Sequence, residues 1–359
     1  MPLQEKSLFV LQNQMSEIRI SQSDCELWIA NTLQAIGLNA VAAHSIAHSL
    51  VQTSLWGIDS HGIGRITHYL ARFESGSIHT DPEIKFSQTG PGTGNLDGGD
   101  GHGIVLLQLA ADRAIELAKN AGIGVVGVSN SSHCGAIGLY TRKITEAGMI
   151  GIAFTHSDAL VVPHLGKKAF FGTNPISIAF PTENPRQPLC LDMATSIIPW
   201  NYIMNAKREK STIPAGYGVD VNGEDTTIAE EIVAVKPTSL HKGYAMSFLI
   251  DMLCGPLNGM KFGPDITPMY QKLDEKRKLG SLVLALDPVK FAGLDYIKSA
   301  CSAAINQVKA QGSAILFPGE PEYLSEKKRM VDGIPVTEAM ASEFQYWSDR
   351  LGVSNPIYL

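Results

Sequence analysis

The sequence predicts an α/β fold built around a mixed sheet. Before residue 122, apolar residues recur mainly at helical spacing, whereas from Gly122 onward they form short runs bounded by glycine, proline or polar residues. Helical segments interrupt and follow those runs, which is typical of strands packed against helices. With 359 residues, the chain is long enough for two or three lobes rather than one minimal domain.

The first part of the chain is predicted to be mostly helical. Residues 22–55 have apolar positions at helical spacing, with Ser21 and Ser23 available as caps, and we predict two helices there. Residues 82–103 are rich in turn-forming residues around one short strand, and residues 104–120 return to helical periodicity. A new layer of the fold is therefore expected to begin after that helix.

Five buried strands are predicted in the second part of the chain. They correspond to the segments IGVVGVSN, MIGIAFTHS, ISIAF, LCLDMATS and LVLALDP. Helices are predicted near residues 138–147 and 242–255, and no repeat or long flexible linker separates these elements. We place domain boundaries near residues 125 and 310.

Composition excludes several classes of protein. Hydrophobic residues make up 44% and charged residues 18%, which is typical of a folded globular chain. The net charge of -6, with no basic stripe, argues against nucleic acid as a partner. Because no apolar run approaches the roughly 18 residues of a membrane span, and MPLQEKSLFVLQNQ is unlike a signal peptide, we expect a cytoplasmic protein without a membrane partner. The five cysteines include no CxxC pair, so neither a disulfide framework nor a zinc cage is predicted.

One glycine motif has the spacing of a dinucleotide-binding turn. Gly122, Gly124 and Gly127 form G-x-G-x-x-G. A phosphate-binding turn needs a strand before these glycines and a helix after them, so that helix-end amides meet the pyrophosphate. Here the glycines follow a predicted helix and lie within a predicted strand, so we reject this interpretation.

A first polar cluster lies at residues 59–65 (DSHGIGR). Ser60, His61 and Arg65 provide a hydroxyl, an imidazole and a guanidinium, and Tyr69 follows four residues after Arg65. If the chain is helical there, Arg65 and Tyr69 share one face and could present a cation and a hydroxyl to an acidic substrate. The alternative is a capped helix start, with Asp59 or Ser60 as N-cap and an exposed arginine.

A second polar cluster, SNSSHCG at residues 129–135, ends a predicted strand and precedes a helix. Ligands of open α/β sheets bind beyond the carboxyl ends of the strands, so His133 could transfer a proton to or from a substrate oxygen. The alternatives are a capping histidine bonded to the backbone and a thiol hydrolase centred on Cys134. The last is disfavoured because adjacent side chains seldom face each other.

Two further sequence features are weaker evidence for function, and each has a simple structural explanation as an alternative. His44 and His48 are spaced to share a metal, but no HExxH motif or third ligand accompanies them, and we expect no metal site. Lys242 at the start of a predicted helix could place a cation beside a pyrophosphate, where the helix-end amides add their dipole. Alone, it is equally compatible with an ordinary surface lysine.

Six segments together are similar to one known family. They are DSHGIGR at 59–65, SNSSHCGAIGLY at 129–140, FGTNPISIAFP at 171–181, LDMATS at 191–196, HKGYAMSFLIDML at 241–253 and LFPGEPE at 316–322. In this order, and over nearly the whole chain, they resemble the malate/L-lactate dehydrogenase family, which also contains ureidoglycolate, sulfolactate and diketogulonate oxidoreductases. The resemblance implies an NAD-binding or NADP-binding α/β domain of non-Rossmann type over residues 126–310. It also implies a helical substrate lobe, 1–125 completed by 311–359, and a homodimer.

The resemblance also implies roles for individual residues. His61 and His133 match the family's candidate acid/base residues, and Ser60, Arg65 and Tyr69 match positions beside the substrate. Dinucleotide contacts are implied for Ser157, Asp192, Met193, Ala194, His241, Lys242, Gly319, Glu320 and Pro321.

Three segments depart from the family pattern. A Gly-Lys pair usually follows LDMATS, where this chain has Pro199-Trp200-Asn201-Tyr202. A Gly-Gly pair before His241 is replaced by Ser239-Leu240, and another before FGTNP by Leu165-Gly166. These changes put the contact of that lysine in doubt and could alter coenzyme affinity or preference.

The sequence therefore predicts an oxidoreductase that transfers a hydride between NAD, or NADP, and a small 2-hydroxyacid. Malate is the first expected substrate, with ureidoglycolate second and L-lactate or sulfolactate as further alternatives. From other classes, a catalytically silent binding protein and the Cys134 hydrolase remain open.

Overall fold

The computed structural model describes residues 18–359, and its centre is a seven-stranded sheet in the order β2-β3-β4-β10-β5-β6-β7. All neighbouring strands are antiparallel except β3 and β4, which are parallel. The predicted mixed sheet is confirmed. The strands are β2 (Lys85–Gly90), β3 (Thr93–Asp97), β4 (Ile123–Ser131), β5 (Ile150–Thr155), β6 (Ile176–Phe180), β7 (Leu189–Met193) and β10 (Leu279–Leu286).

Helices α4 (Gly103–Ala121) and α5 (Gly138–Glu146) share a buried core with the sheet. Gly124 in β4 explains part of this close packing, because a Cβ there would lie 1.9 Å from the carbonyl oxygen of Ala114. Gly122 ends α4 with φ of 81°, and Gly124 and Gly127 lie within β4. The glycine motif thus follows a helix and lies in a strand, as predicted, and does not form a phosphate-binding turn.

A second core joins helices from both ends of the described chain. Strand β1 (Ile18–Ile20) pairs with β11 (Ile334–Val336), the Trp28 indole donates to Ser348 Oγ at 2.9 Å, and its ring centroid lies 4.4 Å from that of Phe344. The helices of this core are α1 (Gln22–Ala35), α2 (Ala40–Leu55), α3 (Ile66–Glu74) and α10 (Glu338–Leu351). The domain boundaries near residues 125 and 310 remain a prediction, and the seven-stranded sheet takes strands from both sides of the first one.

A smaller core lies between β5 and α7 along the chain. It contains the buried side chains of Phe171, Ile203 and Val235. Its regular elements are α6 (Trp200–Glu209), β8 (Gly218–Val219), β9 (Ala234–Val235) and the following helix α7 (His241–Cys254). This core holds α6 in position, and α6 begins within the segment 199–202 that departs from the family pattern.

Most predicted elements are found near their predicted positions. Ser21 caps α1 by accepting from the Asp24 amide at 3.1 Å, and α5 and α7 fall where helices were predicted. Residues 82–103 contain two strands rather than one. Helices α8 (Leu294–Lys309) and α9 (Glu320–Asp332) had no counterpart in the prediction. Within residues 18–359, no helix is both long and apolar enough to span a membrane.

Candidate active site

A cleft of about 260 Å³ opens at one edge of the large sheet. Strands β4, β5 and β7 point in the same direction and end at this edge, because β10 is antiparallel to β4 and β5, and β6 is antiparallel to β5 and β7. The cleft is lined by Ile58, Ser60, His61, Arg65, His133, Gly135, Ala136, Ile137, Ser157, Asp158, Leu160, Thr173, Pro175, Asp192, Met193, Ala194, Pro199, Trp200, Asn201, Met269, Tyr270 and Glu322. This is the position expected for a ligand of an α/β sheet.

Two histidines from distant parts of the chain face each other in this cleft. The rings of His61 and His133 are stacked, with centroids 5.5 Å apart and planes 18° apart. His61 Nδ1 lies 2.8 Å from the hydroxyl of Ser60, and His133 Nδ1 lies 2.6 Å from the hydroxyl of Tyr69. Each ring is therefore held through Nδ1, and Nε2 of each has no protein partner within the described part of the chain.

Tyr69 supports His133 from behind rather than lining the cleft. Its side chain is 0% exposed, and the hydroxyl of Tyr69 reaches His133 Nδ1 from α3. The Gly135 amide also donates to His133 Nδ1, at 3.3 Å, which favours the neutral tautomer with the proton on Nε2.

Both histidines are neutral near pH 7. Burial is the main cause that lowers the pKa of His61 to about 3, and Arg65 adds to the effect. Burial likewise holds the pKa of His133 well below its ordinary value, with further contributions from His61, Arg65 and Arg277. A group that titrates only when its surroundings change is suited to proton transfer in a closed site.

Arg65 belongs to a closed ring of hydrogen bonds. Its Nε donates to the Ser60 carbonyl oxygen and its Nη1 to the Tyr270 hydroxyl, both at 2.6 Å. The Tyr270 hydroxyl donates to Asn201 Oδ1 at 3.2 Å, and Asn201 Nδ2 donates back to the Ser60 carbonyl oxygen at 3.2 Å. Among the described residues that line the cleft, Arg65 is the one lysine or arginine.

A second guanidinium lies behind the cleft wall. Arg277 is 3% exposed; its Nη2 donates to Asp158 Oδ1 and its Nε to the Thr267 carbonyl oxygen at 3.1 Å. Because Asp158 itself lines the cleft, this ion pair keeps the wall close to neutral on that side.

Asp192 closes the amino-terminal end of α5. Its Oδ2 accepts from the Gly138 amide at 2.8 Å, and a Cβ at Gly138 would lie 2.7 Å from the same oxygen. Desolvation raises the pKa of Asp192 to about 6, although the Gly138 amide and Arg142 oppose that shift. Ser157, Met193 and Ala194 line the cleft beside it, so this part of the predicted dinucleotide set lies together.

The remaining predicted coenzyme residues lie outside the cleft lining. The Thr238 amide donates to the Thr195 carbonyl oxygen at 2.8 Å, and His241 and Lys242 begin α7 shortly after Thr238 in the chain. The 319–321 turn packs against the start of β7, where the Cys190 amide donates to the Pro318 carbonyl oxygen at 2.9 Å. Within that turn, Gly319 has φ of 98°, Pro321 follows in the first turn of α9, and Glu320 pairs with Lys309.

Non-glycine residues adopt left-handed backbone at two of the departures from the family pattern. Ser239 and Leu240 have φ of 49° and 55°, and Leu165 has φ of 64°. With ψ of -121°, Leu240 lies in a region that suits glycine. Positive φ at these non-glycine residues carries a cost in local strain.

Cys134 is unsuited to the hydrolase alternative. It is 3% exposed, and burial is the main cause that raises the pKa of its thiol to about 12. A cysteine acts as a nucleophile in its thiolate form, which is scarce near neutral pH under these conditions.

The two histidines on α2 show no shared site. His44 Nδ1 contacts the Ala40 carbonyl oxygen, and exposed His48 pairs with Glu26. Within residues 18–359, no group of three potential ligands is arranged to hold a metal ion.

Sequence reasoning did not assign roles to Asp158, Asn201, Met269, Tyr270 or Glu322. Asn201 stood in a segment recognised only as a departure from the family, and Tyr270 lies 205 residues from its partner Arg65. The signal that could have found Asn201 is its position shortly after LDMATS, whose residues line the same cleft.

Comparison with known proteins supports one family over almost the whole chain. The family model described as malate/L-lactate dehydrogenase matches residues 20–345. The chain is 32% identical over 326 residues to a ureidoglycolate dehydrogenase (NAD(+)) of Escherichia coli, covering 89% of this chain and 93% of the relative. It is 32% identical over 351 residues to a malate dehydrogenase of Pyrococcus abyssi, covering 94% and 96%. The solved structure of a sulfolactate dehydrogenase from Methanocaldococcus jannaschii aligns with a TM-score of 0.87 at 31% identity, covering 94% of this chain and 98% of that one.

Proposed function

Because the chain belongs to the malate/L-lactate dehydrogenase family, we propose that it oxidises a small 2-hydroxyacid and reduces the matching 2-oxoacid with a nicotinamide coenzyme. The observation that carries the proposal is the meeting of His61, His133 and Arg65 in one cleft. Two of these side chains can move a proton, and the third can bind a carboxylate.

The residues of the cleft suit a nicotinamide coenzyme. Leu160, Pro175 and Met193 provide apolar walls for a flat ring, and the Ser157 hydroxyl can bond to an amide. The amino-terminal end of α5 also borders the cleft, but the Asp192 carboxylate already binds its Gly138 amide, so we assign no coenzyme anion to it. We assign Ser157 and Asp192 to Ala194 to the nicotinamide end, and His241, Lys242 and the 319–321 turn to the remainder.

In the proposed reaction, side chains of the protein transfer a proton and orient the substrate. When bound, the nicotinamide supplies or accepts the hydride that is exchanged at C2 of the substrate. In reduction, we assign to protonated His133 the transfer of its Nε2 proton to the oxygen on C2. The ring is then left neutral with its remaining proton on Nδ1, directed at the Tyr69 oxygen 2.6 Å away, and it regains the Nε2–H tautomer of the free enzyme before the next turnover. Oxidation reverses these transfers, and we assign to His61, whose ring stacks on that of His133, the orientation of the same oxygen.

Arg65 binds the carboxylate on C1 of the substrate. A guanidinium can hold a carboxylate through two hydrogen bonds, which fixes the direction of C2 as well as its distance. Arg65 Nη2 has no protein partner in residues 18–359, and Nη1 carries a second hydrogen besides the one given to Tyr270.

Malate is the first candidate substrate, because malate dehydrogenases are among the relatives. Ureidoglycolate is the second, and one observation favours it. A dicarboxylate needs a second cation, whereas Arg65 is the one lysine or arginine among the described residues that line the cleft. An uncharged polar tail such as a ureido group needs no second cation.

A spectrophotometric screen tests the proposal. NADH and NADPH oxidation are followed at saturating coenzyme with oxaloacetate, pyruvate, sulfopyruvate and oxalurate. We expect turnover with at least one acid and a preference for one coenzyme. If none of the acids is reduced with either coenzyme, while the dinucleotides still bind, the chain is a catalytically silent binding protein.

We also propose that the chain forms a homodimer, as the family resemblance implies. In support, α8 has no buried residue within the described part of a single chain, although it is amphipathic and contains the exposed side chains of Tyr296 and Val308. Light scattering should give a mass near twice the 38.7 kDa of one chain.

A further inference from the structure

The hydrogen-bonded ring around Arg65 joins three segments that are far apart in sequence. Ser60 and Arg65 come from the turns after α2, Asn201 from the first turn of α6, and Tyr270 from the loop before β10. Resting on the proposed function, we propose that Asn201 and Tyr270 are positioning residues that fix the guanidinium of Arg65 for the substrate carboxylate.

Every group in the ring acts in a role that its chemistry permits. The Tyr270 hydroxyl accepts from Arg65 and donates to Asn201, and the Asn201 amide then donates to the carbonyl oxygen that Arg65 Nε also contacts. Because two guanidinium nitrogens are bound at once, the plane of the guanidinium cannot rotate about its long side chain. The N–H groups that remain for a ligand therefore have a fixed direction.

The two partners of Arg65 are themselves held rigidly. Arg72, which is 1% exposed, donates to the carbonyl oxygens of Met269 at 2.7 Å and Pro268 at 3.2 Å, directly before Tyr270. Asn201 lies two residues before Ile203, whose side chain is 0% exposed in the core of the α6 region. Neither partner needs a bound substrate to reach its position, so the ring is formed before the substrate binds.

A fixed guanidinium should affect binding of the substrate carboxylate but not binding of the coenzyme. Loss of Tyr270 removes the partner of Arg65 Nη1, and loss of Asn201 removes the acceptor that orients the Tyr270 hydroxyl. In either variant the guanidinium is held less firmly, so binding of the carboxylate weakens. The coenzyme residues around Asp192 and Lys242 are not part of the ring, and coenzyme binding should not change. A residue that merely supported the fold would affect both ligands and the melting temperature together.

The test compares Asn201→Ala and Tyr270→Phe with matched controls on exposed positions, Asn205→Ala on α6 and Tyr346→Phe on α10. With the 2-oxoacid that the wild-type enzyme reduces fastest, we expect each ring variant to raise KM about tenfold, the usual effect of losing one hydrogen bond to a charged group. We expect kcat within about threefold, an unchanged KM for NADH and an unchanged melting temperature. The control variants should match the wild type.

Two further measurements distinguish a loss of Arg65 positioning from general damage to the protein. The double variant Asn201→Ala/Tyr270→Phe should raise KM no more than the worse single variant, because one break already opens the ring. For the amide of the same 2-oxoacid, which has no carboxylate for Arg65, the ring variants should have the wild-type KM. Additive effects, or an equal loss for acid and amide, would overturn the inference.

Failure of the inference differs from failure of the proposed function. If Arg65→Ala raises the KM of the acid while the ring variants do not, the inference is wrong and the proposed function stands. If Arg65→Ala leaves that KM unchanged, or no 2-oxoacid is reduced, the assignment of Arg65 as carboxylate ligand is wrong and the inference falls with it.

Discussion

Replacement of His133 by alanine should separate proton transfer from stability. The variant removes the imidazole that contacts the Tyr69 hydroxyl at 2.6 Å and the Gly135 amide at 3.3 Å. It also removes Nε2, the atom assigned to exchange a proton with the substrate. We therefore expect a loss of catalytic rate and a loss of stability. The two losses differ in magnitude, and a second substitution should restore only the stability.

The catalytic loss follows from the role of a general acid. Such a group typically contributes about 10² to 10⁴ in rate, which is roughly 3 to 5 kcal/mol of barrier. The loss of stability follows from the surroundings of Tyr69, whose side chain is 0% exposed. Its hydroxyl is left buried without an acceptor, which costs about 1 to 3 kcal/mol of unfolding free energy.

The double variant His133→Ala/Tyr69→Phe is the control. It removes both hydrogen-bond partners, so the unfolding free energy should recover toward the wild-type value while kcat stays low. The assays are steady-state kinetics, coenzyme titration by fluorescence and urea unfolding. His61→Ala should lower kcat less than His133→Ala, and both should leave coenzyme affinity nearly intact. A near-normal kcat in His133→Ala, or recovery of kcat in the double variant, would refute proton transfer by His133.

Four other outcomes are expected. Lys242→Ala should raise the KM for coenzyme more than it lowers kcat, because a phosphate or ribose contact acts mainly on binding; unchanged dinucleotide affinity removes Lys242 from the site. Activity should survive EDTA, and its loss with recovery on adding zinc or magnesium would contradict the metal-independent mechanism. Leu240→Gly should raise the unfolding free energy by about 1 kcal/mol in urea titrations, because Leu240 is 61% exposed and its backbone suits glycine, and a less stable variant would show that this strain is absent. Burial lowers the pKa of His102 from 6.5 to about 3, so only the unfolded chain is protonated between these values and stability should fall as pH drops below 6.5. Its share is about 1.4 kcal/mol per pH unit between pH 5.5 and 4.5; His102→Gln should lose that share, and an unchanged pH dependence would show that His102 is protonated in the fold.

The local pattern of apolar residues was sufficient to predict the central strands of the large sheet. The apolar runs that became β4, β5, β6, β7 and β10 are bounded by glycine and polar residues, and burial on both faces of a sheet leaves little else that such runs can form. The hairpin of β2 and β3 was only half predicted. Its second strand, TGNLD, has one apolar residue, and its Gly94 lies under the ring of Phe86, a contact that no local pattern reveals.

The candidate site was predictable where its residues are clustered along the chain. His61 and His133 were found because each lies in a dense polar segment, and the structure stacks them. Tyr69 was expected beside the substrate, yet the structure places it behind His133. Tyr270 and Asn201 could not be found in this way, because their significance comes from long-range hydrogen bonds to Arg65 and Ser60 rather than from their neighbours in sequence.

The charges around His133 connect substrate binding to proton transfer. Burial is the main cause that lowers the pKa of His133 and disfavours the protonated imidazole, and His61, Arg65 and Arg277 add to its effect. Reduction needs that proton, so the free enzyme is in the wrong protonation state at neutral pH. A substrate carboxylate bound to Arg65 offsets the positive charge of that guanidinium and thereby favours protonation of His133. On the proposed function, the anion thus both orients C2 and prepares the acid, and a substrate without a carboxylate would do neither.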